Sequence, residues 1–68
     1  MKLKEYLTNN SMTQKDFILQ VKTEHNKTIP QGTLAKWILG IRIPRKEDMI
    51  KIYETTNRKV TPNDFFLD

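Results

Sequence analysis

Gln31, Gly32, Thr33 and Lys36 place an amide, a bare backbone position, a hydroxyl and an ammonium close together, with no carboxylate among them. An amide donates and accepts at once, which suits the N6/N7 edge of adenine, and a good bidentate pair discriminates by roughly 1–3 kcal/mol. Lys36 can reach guanine or a phosphate. Gly32 lowers helix stability by roughly 1 kcal/mol relative to Ala in a helix interior, less near an end, a loss with a use if a ligand approaches the backbone closely. The chemistry on offer is the reading of base edges in a DNA groove. The bland alternative for Gln31 is a solvated residue in the first turn of a helix, and for Gly32 simple tolerance.

Phosphate chemistry surrounds this group. Arg42 and Arg45 follow it, Lys27 precedes it, and Gln14 and Lys15 open an earlier helix, where free backbone N–H groups and the helix dipole favour an anion. Residues 15–46 carry Lys15, Lys22, Lys27, Lys36, Arg42, Arg45 and Lys46 against Asp16 and Glu24, a balance of +5. Residues 1–14 carry +1 and residues 47–68 carry −2, for a net charge of +4. Charge runs are usually no more than a solvated face, so it is the concentration around Gln31 to Lys36 that points to DNA.

The elements that must position these groups are helices. Leu34, Trp37, Ile38 and Ile41 recur at i, i+3, i+4 and i+7, the stripe of a helix lying on a core. Trp37 is therefore a core residue and not a base-stacking platform. Gly40 ends this helix, and Thr28 with Gln31, or Pro30, starts it. Before it, Leu3, Tyr6 and Leu7 predict a first helix over about Lys2 to Thr8, broken by Asn9, Asn10 and Ser11. Thr13 and Asp16 resemble a capping box for a second helix with Phe17, Ile18 and Val21 buried. Lys22 to His25 can prolong it, His25 reads as a solvated residue, and Asn26 is a plausible left-handed stop.

After it, Pro44 starts the next element. Met49, Ile52 and Tyr53 give a fourth helix its face, Glu47 and Asp48 suit its first turn, and Asn57 is its left-handed cap. Thr61 to Asp64 signals a last short turn of helix carrying Phe65, Phe66 and Leu67. One of these three can cross a dimer interface, and the other two are expected to pack within the fold. No segment alternates as a strand. The expectation is an all-α, compact five-helix domain spanning residues 1–68.

Composition removes several functions. With 68 residues, no cysteine and a single histidine, the chain offers no disulfide and no evident metal site, and no cofactor is expected. No nucleophile and base pair or Gly-rich phosphate loop is recognisable, so an enzyme is not expected. No apolar run approaches the ~20 residues that span a bilayer, and no signal peptide is evident; a cytoplasmic protein without membrane contact is expected.

The order of these pieces resembles the Cro/repressor-like (lambda-repressor-like) helix-turn-helix family, most closely in pattern the small phage Cro and YdaS-type regulators. Leu3 to Leu7 resembles the family's opening helix, Met12-Thr13-Gln14 its helix-2 start, and Thr33 to Gly40 its recognition helix and closing glycine. Arg42-Ile43-Pro44 resembles its R-I-P lead into helix 4, and Ile52-Tyr53-Glu54 with Val60 to Phe65 its ending. The resemblance implies base contacts from Gln31, Gly32, Thr33 and Lys36, and phosphate contacts from Gln14 and Arg42. Lys15, Lys27 and Arg45 join the phosphate set on charge and position alone.

One departure is an enlarged turn between helices 2 and 3, with about six extra residues, Lys22 to Lys27, and Asn26 in place of the usual glycine. The implied function is a sequence-specific transcriptional regulator of phage or prophage type. It would place helix 3 in the major groove of double-stranded operator DNA, as a homodimer that DNA itself can bring together. The alternative is a protein-binding module or antitoxin-type partner that keeps the fold without sequence-specific DNA binding.

Overall fold

The computed structural model describes residues 1–66. Among them are four α-helices and one 3-10 turn, with no strand: α1 Leu3–Asn9, α2 Gln14–His25, α3 Gln31–Leu39, α4 Lys46–Thr55 and the 3-10 turn Pro62–Phe65. No helix is long and apolar enough to cross a membrane. The expected fifth α-helix is thus a 3-10 turn. It closes with i to i+3 bonds, Asp64 N–H to Thr61 O at 3.0 Å and Phe66 N–H to Asn63 O at 3.2 Å. Leu67, expected on this turn, lies outside the described residues.

Local chemistry sets most helix ends. The Asp16 N–H donates to Thr13 Oγ1 at 3.1 Å and the Thr13 N–H to Asp16 Oδ2 at 3.0 Å, a reciprocal cap at the start of α2. Each helix is followed by a left-handed residue: Ser11, Asn26, Gly40 and Asn57, with φ of 53°, 53°, 79° and 55°. After α1, α3 and α4 the chain closes in the paired 6→1 and 5→2 pattern of a Schellman motif. At α3 these bonds are Ile41 N–H to Lys36 O (3.0 Å) and Gly40 N–H to Trp37 O (3.2 Å). At α4 they are Arg58 N–H to Tyr53 O (2.7 Å) and Asn57 N–H to Glu54 O (3.2 Å).

Of the two expected starts of α3, Thr28 with Gln31 or Pro30, the structure takes the one at Pro30. Pro30, not Thr28, is the last extended residue, with φ −60° and ψ 140°, and no side chain caps the helix. Proline disfavours the α region for the residue before it, in keeping with a helix that does not reach back to Ile29, which is buried. Thr28 then falls too early to pair reciprocally with Gln31.

One core joins the elements. Phe17 and Val21 of α2, Leu34 of α3, Ile52 of α4 and Val60 are fully buried, with Leu3, Tyr6, Leu7, Ile29 and Trp37 around them. Full burial of such a side chain contributes roughly 1.5–3 kcal/mol. α2 packs on both α3 and α4, and α4 on the 3-10 turn. Ile41 is not in the core: it follows the left-handed Gly40 and is 71% exposed, because the reversal at Gly40 takes it off the α3 stripe.

The six extra residues divide between two elements. Lys22 to His25 form the last turn of α2, and Asn26 N–H donates to Lys22 O at 2.9 Å to stop it. Residues 26–30 make the connection to α3. It is fastened to α4 by Lys27 Nζ, 3.5 Å from Asp48 Oδ1, and just before it His25 Nδ1, at the end of α2, lies 3.9 Å from Glu54 Oε1. His25 is therefore a half-buried helix residue rather than a solvated one.

Candidate nucleic-acid interface

The burial of Leu34 and Trp37 turns the other side of α3 to solvent. Gln31, Gly32 and Lys36 are exposed and Thr33 is half-buried. A Cβ built on Gly32 would meet nothing within 4 Å, so no neighbour in the fold requires this glycine. The open N–H groups at the start of α3, without a side-chain cap, lie beside Gln31.

Leu39 shares this face, seven residues from Gly32 and three from Lys36, and is 72% exposed. Sequence reasoning missed it, although its place off the Leu34–Trp37–Ile38 stripe was a usable signal. An exposed apolar side chain on such a face can touch a thymine methyl group.

The loop after α3 is built onto the helix. Both Ile41 N–H and Arg42 N–H donate to the Lys36 carbonyl, at 3.0 and 3.3 Å, so Arg42 is held one turn from Lys36 along the backbone. Arg42 and Arg45 meet Thr33, Trp37, Ile43 and Asp48 around a shallow cleft. Among the described residues no carboxylate pairs with Arg42, Arg45, Lys36 or Lys15. Lys27, by contrast, is engaged by Asp48.

Gln14 and Lys15 occupy the first turn of α2 as expected, but they do not line this cleft. The positive end of their helix is already served by Thr13 and Asp16. The Asp16 carboxyl lies below its ordinary range because it accepts from the Thr13 N–H and then from the Thr13 side chain. The attraction of this helix end for a phosphate is reduced accordingly.

A second feature lies at the far end of α3. Trp37, Ile38, Leu39, Ile43, Phe65 and Phe66 line a groove of mixed character, with Lys2, Lys4 and Asp64 also at its walls. There the Asp64 carboxylate accepts from the Met1 ammonium at 2.9 Å and the Thr61 N–H at 2.8 Å. Burial pushes this carboxyl up, but these donors, with the Thr61 hydroxyl, outweigh burial and hold it below the usual range. No group of three or more potential metal-ligating side chains occurs among the described residues. Comparison with family models, curated proteins and solved structures finds no match for the chain.

Proposed function

We propose that the chain is a sequence-specific DNA-binding regulator of the Cro/repressor-like helix-turn-helix kind, with α2 and α3 as its helix pair. α3 enters the major groove, Gln31, Thr33 and Lys36 read base edges, and Gly32 allows close approach. Arg42 and Arg45 anchor phosphates beside them, with Lys15 and Gln14 contributing from α2. Two copies would read half-sites about 34 Å apart. The observation that carries this reading is the exposed side of α3, which holds Gln31, Gly32 and Lys36 without a carboxylate and continues into two arginines that pair with no carboxylate among the described residues. The test is selection of bound duplexes from a random pool. Enrichment of a defined motif is expected, and recovery of unenriched sequence would refute specific recognition.

A protein-binding module remains a second reading, supported by the exposure of Leu39, Ile41, Ile43 and Phe66. Under it, Gln31→Ala and Lys36→Ala would leave the binding partner unaffected.

A further inference from the structure

We propose that the groove at the far end of α3 is a docking site for an acidic amphipathic helix of another protein. The inference rests on the second reading above and gives its partner a chemistry. It does not require the DNA reading to fail, because the groove shares Leu39 with the outer side of α3 but none of Gln31, Gly32, Thr33 and Lys36.

Three segments distant in sequence build this surface: the start of α1, the end of α3 with the loop after it, and the 3-10 turn. Leu39, Ile43 and Phe66 line it while 72%, 48% and 58% exposed. Exposed apolar side chains scattered singly need no explanation, but a cluster of them rimmed by polar groups marks an interaction surface. A groove of this kind takes the apolar face of a helix, whose anchors recur at i, i+3, i+4 and i+7.

Charge decides which helix. The charged side chains on the groove are Lys2, Lys4 and Asp64. Asp64 is already served within the chain: its carboxylate accepts from the Met1 ammonium at 2.9 Å and the Thr61 hydroxyl at 3.0 Å, and its backbone carbonyl from Lys2 Nζ at 2.8 Å. Lys4 is exposed and has no carboxylate partner among the described residues. The rim is therefore net positive, and carboxylates beside the apolar anchors of a docked helix complement it. A second copy fits less well. In a two-fold contact the same patch faces itself, which would set Lys2 and Lys4 against their counterparts on a chain that carries +4.

The test is titration of the ¹⁵N-labelled native chain with two synthetic helical peptides that share one leucine stripe, flanked by glutamates in the first and by lysines in the second. The amides of residues 38–43, 65 and 66 are expected to move with the glutamate peptide, which should bind about fivefold more tightly than the lysine peptide. Leu39→Ser and Phe66→Ser change exposed side chains and should each weaken it about tenfold. Lys4→Glu should remove the preference between the peptides, and Gln31→Ala and Lys36→Ala should leave it intact.

Equal binding of the two peptides would overturn the acidic partner and leave the protein-binding reading standing. If neither peptide moves these amides, the docking site is refuted. Shifts that follow chain concentration alone would then assign the groove to a second copy, and shifts produced by Leu67→Ala alone would assign it to the chain's own end.

Discussion

Lys27 Nζ lies 3.5 Å from Asp48 Oδ1, so the connection that precedes α3 is fastened to the first turn of α4. This contact lets the chain absorb its extra residues without releasing the entry to α3. Lys27 is 46% exposed, and a pair of this kind contributes about 0.2–1 kcal/mol. Lys27→Ala should lower unfolding free energy by an amount in that range, and a double-mutant cycle with Asp48→Asn should return a coupling of the same size. Denaturant titration of the four chains checks it. On duplex DNA, Lys27→Ala should reduce the salt slope less than Arg42→Ala does, because its charge is already engaged.

Adjacent threonines at the end of α4 make opposite predictions. Thr56 Oγ1 donates to Ile52 O at 2.8 Å and accepts the Val60 N–H at 3.1 Å, which directs the chain into the buried Val60. Thr55 Oγ1 is buried with no partner. Thr56→Val should cost about 1–3 kcal/mol by stranding the Val60 N–H, whereas Thr55→Val should stabilise by about 1 kcal/mol. Thermal or denaturant unfolding of the two variants distinguishes them by sign.

These contrasts mark how far the sequence could be read. The Thr13–Asp16 cap and the left-handed stops at Asn26, Gly40 and Asn57 were legible because each rests on chemistry within a few residues. Ser11 gave weaker notice, since serine adopts the left-handed region less readily than Asn or Gly. Ile41 was misplaced because counting helical periods takes no account of the reversal at Gly40. The Lys27–Asp48 pair at the α2–α3 connection and the unpartnered Trp37 N–H arise from packing between distant segments, which no local pattern encodes. The candidate contact face was legible as a set of residue types. Its apolar member Leu39 and the joining of Thr33 to Arg42 and Arg45 were not.

Asp16 and Asp64 both have carboxyls held below their ordinary range in the folded chain. A depressed folded value means stability that is fully present above the unfolded pKa, about 3.9, and lost as pH falls through the folded value. Unfolding free energy should therefore decline below about pH 4. Asp16→Asn and Asp64→Asn should each lower stability near neutral pH and flatten that decline. Denaturant midpoints measured from pH 6 to pH 2 check the direction, and an unchanged acid slope in both variants would show that these caps do not matter to acid stability.

DNA binding is tested most directly by titrating a labelled random-sequence duplex with the native chain across a range of salt concentrations. Of the cations assigned to phosphates, Lys15, Arg42 and Arg45 have no carboxylate partner among the described residues. Counterion release at about 0.9 per phosphate then gives a log–log slope of about −2 to −3 per bound copy, reduced by about one in Arg42→Ala. Binding that is insensitive to salt, or absent below millimolar protein, would contradict the account and favour a protein partner.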